Sequence, residues 1–119
     1  MKLFYRTAQK KDFIGIFPLL EQLWPNLQLD YSKLNKIYDI ALDSTTQQLI
    51  IALNNKIIIG FCSMTVKNNL WQAGQIGHVD ELIVDEDYRG LGVGKKLLDE
   101  ITEIALKNDC KRIGFSISS

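Results

Sequence analysis

The residues best suited to chemistry lie late in the chain, in the run Asp85-Glu86-Asp87-Tyr88-Arg89-Gly90-Leu91-Gly92-Val93-Gly94-Lys95-Lys96. Its glycines alternate at 90, 92 and 94. Glycine opens backbone dihedrals closed to other residues and lets a ligand come close to the main chain. Successive N–H groups in such a loop can converge on an anion, and a helix beginning there adds the positive end of its dipole. Each amide–anion hydrogen bond contributes about 1.5–3 kcal/mol, so several together make a diphosphate site. Lys95 and Lys96 add positive charge, although for Lys96 a solvated first helical turn is the preferred reading. Two common phosphate motifs fail on the residues. A Walker loop needs glycine where Arg89 stands and Ser or Thr where Lys96 stands. A dinucleotide fingerprint needs its third glycine at Lys95, and it belongs near the start of a βαβ unit.

Positioning such a loop takes a strand that ends before it and a helix that starts within it. Ile76 to Val84 reads as the strand, and Val93 to Lys107 as the helix, with Leu97, Leu98, Ile101, Ile104 and Ala105 at helical spacing. Upstream, Lys2 to Arg6 predicts a first strand, with Thr7 as a candidate cap for the next helix. That helix is predicted over Gln9 to Trp24, with a kink or break at Pro18. Asp30 caps a second helix over Tyr31 to Leu42. Gln48 to Leu53 and Ile57 to Val66 are strands joined by a tight turn at Asn54-Asn55-Lys56, and turn signals recur at Asn68-Asn69 and Gly74. Arg112 to Ile117 is the last strand. The order is β-α-α-β-β-β-α-β. Short connections make the three middle strands antiparallel, and the helical crossover makes the last strand parallel to its predecessor. This is an α+β (α/β) class fold: one domain over residues 1–119, a mixed and mostly antiparallel sheet flanked by helices.

Composition narrows the partners. The 119 residues hold 14 Lys and Arg against 14 Asp and Glu. No strong basic field exists to hold nucleic acid or an anionic membrane by charge. No apolar run approaches the roughly 20 residues that cross a bilayer, and the N-terminal residues do not form a secretory signal. A cytoplasmic, reducing setting is expected, with Cys62 and Cys110 as free, buried thiols. No Cys/His cluster suggests a metal site.

The element Arg89-x-x-Gly92-x-Gly94 resembles the Gln/Arg-x-x-Gly-x-Gly/Ala motif of the GNAT acetyltransferase superfamily. The segment VDELIVDEDYRGLGVGKKLLDEITEIA is similar to that family's fourth strand, pyrophosphate loop and third helix, and CKRIGFSIS to its fifth strand. The order of earlier elements agrees; the specific part runs from Ile76 onward. The resemblance implies acetyl-CoA as co-substrate, its pyrophosphate held by the amides of Arg89, Gly90, Leu91, Gly92, Val93, Gly94 and Lys95. It also implies that the fourth and fifth strands splay apart, so that the backbone of Ile83 and Val84 bonds the pantetheine arm and the thioester carbonyl.

The implied reaction is attack of an amine on a thioester. An alkylamine of pKa near 10.4 must lose a proton, which at pH 7 costs about 4.6 kcal/mol, so a general base is required. Glu81 is the first candidate, matching the family's frequent acidic position. Asp80 and His78 are alternatives. Plain alternation sends Asp80 and Glu81 to opposite faces, with His78 on the face of Asp80; a bulge would change which acid faces the cleft. Asp85, Glu86 and Asp87 read as a solvated acidic turn. The family's chain continues past strand five with a helix and two strands, and a Tyr there protonates the departing thiolate. Tyr5, Tyr31, Tyr38 and Tyr88 do not match that position. Two expectations result: a homodimer through the edge of strand five, and, as the alternative to catalysis, a non-catalytic acyl-CoA-binding module or truncated remnant.

Overall fold

The computed structural model describes residues 1–115. The elements are β1 (Leu3–Thr7), a 3-10 turn (Lys10–Asp12), α1 (Phe13–Leu23), α2 (Tyr31–Asp43), β2 (Gln47–Asn54), β3 (Ile57–Asn69), β4 (Gly74–Val84), a second 3-10 turn (Glu86–Tyr88), α3 (Val93–Lys107) and β5 (Cys110–Phe115). The sheet runs β1-β2-β3-β4-β5. The first three pairings are antiparallel and β4–β5 is parallel, as the short turns and the α3 crossover require.

Helices cover both faces. Leu49, Ile51, Leu53, Phe61 and Ile83 pack with Phe13, Ile16, Leu19 and Leu20 of α1 and with Tyr38 and Ala41 of α2. On the reverse face, Ile50, Ala52, Ile59, Cys62, Met64 and Val79 pack with Val93, Leu97, Ile101 and Ala105 of α3. A sheet covered twice needs apolar residues at odd and even positions alike, which is why β2 reads as the unbroken run Leu49 to Leu53.

Several local expectations are corrected. Thr7 lies in β1 rather than capping a helix. The first helical segment is divided, because Asp12 turns its carboxylate back to accept from the Gln9 N–H at 2.7 Å. The same carboxylate takes the Arg6 guanidinium bidentately at 2.8 and 3.0 Å. Burial alone would raise the Asp12 pKa, but the Arg6 and Gln9 hydrogen bonds outweigh it and hold it below its ordinary value. Pro18 does not break α1, which runs unbroken from Phe13 to Leu23. The carbonyl that Pro18 cannot serve belongs to Ile14, a residue on the exposed face of the helix, within reach of water. Asp30 does cap α2, accepting from the Lys33 N–H at 3.1 Å. β3 extends to Asn69, so the chain reverses at residues 70–73, with Ala73 at φ 54°, and Gly74 belongs to β4 rather than breaking the chain. Ser116 and Ile117, expected in the last strand, lie outside the described residues. Among the described residues no helix is long and apolar enough to cross a membrane.

Candidate functional site

β4 changes its alternation in the middle. Thr65 of β3 faces His78, Met64 faces Val79, and Ser63 faces Glu81. Asp80 has no opposite residue and forms a β-bulge. Plain alternation therefore fails here and the bulge named as its alternative is present, but it brings both acids to one face instead of exchanging them. Val79 packs toward α3, whereas Asp80 and Glu81 both turn toward α1 and α2. His78 shares that face, with Nδ1 2.9 Å from Asp80 Oδ1.

Hydroxyls from β3 hold both acids. Thr65 Oγ1 donates to Asp80 Oδ2 at 2.5 Å. The buried Ser63 hydroxyl donates to the Glu81 carboxylate, and its oxygen accepts from the Glu81 N–H at 3.1 Å. Burial is the main influence raising the Glu81 pKa; the Ser63 hydrogen bond opposes it and the Asp80 charge adds to it. On the other face Cys62 is pushed up to about 12, mainly by burial and further by Glu81 and Asp80. At neutral pH it stays a thiol and is no nucleophile.

The two carboxylates lie at the polar end of a cavity of about 390 Å³ between the sheet and the paired helices. Phe13, Leu20, Trp24, Ile37, Tyr38 and Phe61 supply much of its apolar lining. Ser63, Thr65 and this cavity were missed from the sequence, although two hydroxyls alternating through Phe61-Cys62-Ser63-Met64-Thr65-Val66, an otherwise apolar strand, were a signal. Tyr38 donates its hydroxyl to the Gln9 carbonyl at 2.6 Å, and burial holds its pKa above the ordinary value, so it remains protonated.

Four residues past the bulge β4 ends, and the glycine loop begins. The acidic turn is anchored rather than merely solvated. Asp85 donates its N–H to the Ile59 carbonyl at 2.8 Å and accepts the Asp87 N–H at 2.9 Å. Gln22, in the last turn of α1, donates to Asp85 Oδ2 at 3.1 Å and accepts the Glu86 N–H at 3.0 Å. The Tyr88 hydroxyl accepts from Asn54 at 2.8 Å. Arg89 Nε donates to the Val84 carbonyl at 3.0 Å, closing the loop onto the end of β4.

Gly90 and Gly92 have φ of 79° and 84°, the left-handed region in which a side chain is strained. A Cβ at either would meet nothing within 4 Å, so conformation alone calls for glycine. Gly94 differs: a Cβ there would approach Val84 Cγ2 at 3.5 Å, where α3 passes the end of β4. The first helical bond of α3 runs from the Lys96 N–H to the Gly92 carbonyl at 3.0 Å. The N–H groups of Val93, Gly94 and Lys95 therefore precede the helical ladder and point out of the helix start. Lys95 and Lys96 form exposed pairs with Asp99 and Glu100, each at 3.2 Å.

The β4–β5 pairing reaches Val79 opposite Phe115. Among the described residues nothing on the β5 side pairs with Asp80 to Val84. Ile83 and Val84, the expected thioester contacts, fall in that segment, between bulge and loop. Among the described residues no cluster of three or more His, Cys, Asp or Glu is disposed to hold a metal ion.

A β4–β5 pairing that, among the described residues, stops at Val79, a left-handed glycine loop at the end of β4 and a helix rising from that loop define an acyltransferase type of fold. The chain belongs to the Acetyltransferase (GNAT) family, whose model matches residues 13–118. Among curated relatives, glucosamine 6-phosphate N-acetyltransferase of Trypanosoma brucei brucei is 32% identical over 57 residues, 47% of this chain and 39% of that protein. Glucosamine 6-phosphate N-acetyltransferase 1 of Dictyostelium discoideum is 26% identical over 113 residues, 92% of this chain and 72% of its own length. The match thus spans well under half of the first relative. Among solved structures, a GNAT family acetyltransferase of Staphylococcus aureus superposes with a TM-score of 0.86 at 19% identity, covering all of this chain and 89% of the other. That likeness confirms the α+β fold.

Proposed function

We propose that the chain transfers acetyl from acetyl-CoA to a primary amine by direct attack. The observation that carries this reading is the bulge at Asp80. It turns two carboxylates into a cavity, three to four residues before the end of β4, where the glycine loop begins.

In this reading the amides from Arg89 to Lys95 hold the pyrophosphate, and the backbone of Ile83 and Val84 receives the pantetheine arm and the thioester. The amine enters as an ammonium, attracted by Asp80 and Glu81. Glu81 accepts a proton from it, directly or through one water. The freed nitrogen lone pair forms the N–C bond to the thioester carbonyl. The C–S bond breaks, the CoA thiolate leaves with the electron pair, and the nitrogen's surplus proton passes to the thiolate, directly or through water, leaving the neutral amide and CoA thiol. Glu81 is the better base of the two acids. Burial raises its pKa, which makes it a stronger proton acceptor than an ordinary carboxylate. Asp80 is already held by Thr65 and His78; its charge supports the basicity of Glu81. Tyr38 is excluded as the acid for the thiolate, since its hydroxyl is directed at Gln9.

The names of the Trypanosoma and Dictyostelium relatives specify an amino sugar phosphate. The amine is the part of that description that the carboxylates support. A thiol-release assay with acetyl-CoA and a panel of amines tests the reading. Release that depends on an amine and is lost in Glu81→Gln is the expected result. A folded protein that binds acetyl-CoA but releases no thiol with any amine refutes transfer and leaves a binding module.

A further inference from the structure

The cavity beside Glu81 also narrows the acceptor, given the acetyl-transfer reading above. None of the described residues lining it is Lys or Arg, while Asp80 and Glu81 both do. Arg6, a cation of the same region, is engaged with Asp12. The hydroxyl hydrogens at the acid end are committed: Ser63 donates to Glu81, Thr65 to Asp80, and Tyr38 away from the cavity to Gln9. The two carboxylates of that end suit the N–H donors of an ammonium and repel a phosphate, and Gln47, opposite Thr65, adds a neutral amide but no charge. Apart from the neutral amide of Gln47, the lining away from the acids and hydroxyls is aromatic and aliphatic, with Phe13 and Tyr38 in contact at a ring separation of 4.9 Å. A second charge placed there would lose its hydration without a partner.

We infer that the acceptor is a small monoamine whose single ammonium meets Asp80 and Glu81 and whose body is aryl or branched alkyl, without phosphate or carboxylate. The volume of about 390 Å³ is in the range of small-molecule sites.

Two measurements on the same protein test this. Trp24 lines the cavity, and Trp71, 90% exposed on the β3–β4 turn, is the other tryptophan. In Trp71→Phe, Trp24 fluorescence then reports binding. The probes are 2-phenylethylamine, glucosamine 6-phosphate and spermidine. 2-Phenylethylamine is expected to bind and, with acetyl-CoA, to give a kcat/KM about 100-fold or more above glucosamine 6-phosphate, the scale of like-charge rejection, and above spermidine, whose further charges would lose their hydration without a partner. Ile37 lines the cavity and is 63% exposed, so Ile37→Arg is compatible with folding. It should shift the preference about tenfold toward glucosamine 6-phosphate. Better binding and turnover of glucosamine 6-phosphate or spermidine overturns the inference while acetyl transfer stands. Absence of amine binding overturns it as well. Selective binding of 2-phenylethylamine without thiol release from any amine upholds the cavity's preference and overturns the transfer reading instead.

Discussion

Gly92→Ala isolates what the loop contributes. Gly92 precedes the first turn of α3 at φ 84°, and its missing Cβ would meet nothing within 4 Å. The substitution adds no clash, so its whole effect is conformational. Holding an L-residue in the left-handed region costs roughly 1–2 kcal/mol. For a chain of this size that lowers Tm by about 3–8 °C. Gly94→Ala is the matched control. Gly94 lies inside the helix at an ordinary φ, and its Cβ would sit 3.5 Å from Val84, an ordinary contact. Alanine there should stabilise the helix by up to about 1 kcal/mol. The two variants are therefore predicted to move Tm in opposite directions. Binding adds a second readout. Acetyl-CoA at a hundredfold excess over its Kd stabilises the folded state by about 2.7 kcal/mol. If the left-handed turn aims the amides, Gly92→Ala loses at least about tenfold in affinity, or 1.4 kcal/mol of that effect. Thermal melts with and without acetyl-CoA measure both quantities. A Gly92→Ala protein that melts with the parent and gains the same increment from acetyl-CoA would refute the argument.

Glu81 has a folded-state pKa above its unfolded one, so its ionisation opposes folding as pH rises through the folded value; Glu81→Gln should raise Tm at pH 7, leave it unchanged at pH 3, and lower kcat by about 10²–10⁴, read by melts and thiol release. Ser63→Ala removes the hydrogen bond that opposes the rise, so the acidic limb of the kcat/KM profile should move to higher pH; a limb that stays put would disprove the coupling. Asp12 is shifted the other way: its stabilising effect is present above its unfolded pKa and disappears as pH falls through the folded one. Asp12→Asn should then lose about 1–3 kcal/mol at pH 7 and much less at pH 2, by urea melts.

The loop and the sheet order were legible because their causes are local. Alternating glycines announce left-handed backbone, and the runs of strands and helices give the order of elements directly. The floor of the cavity was not, for a reason visible at one position. Alternation assigns each strand residue a face by counting, and a bulge miscounts from the residue where it occurs. Nothing in Val79-Asp80-Glu81-Leu82 marks it; the mismatch shows only against β3, where Ser63 and Met64 take Glu81 and Val79 as partners. The anchoring of Asp85 by Gln22 was hidden in the same way, by a separation of 63 positions along the chain. Pro18 misled in the opposite sense, since its local cost depends on whether the orphaned carbonyl can reach water.

The bulge also means that Asp80 is a residue the architecture can do without. Removing one residue from a strand normally inverts every side chain beyond the cut. Removing Asp80 would instead leave Val79 followed by Glu81, already on opposite faces and already opposite the consecutive residues Met64 and Ser63. The shortened strand would be regular, with His78, Ile83 and Val84 each on its present side. An acid at this point can thus be gained or lost by insertion and deletion as well as by substitution, without inverting the rest of the strand. Among related chains, the number of carboxylates in the cavity should follow the length of this strand as much as its composition.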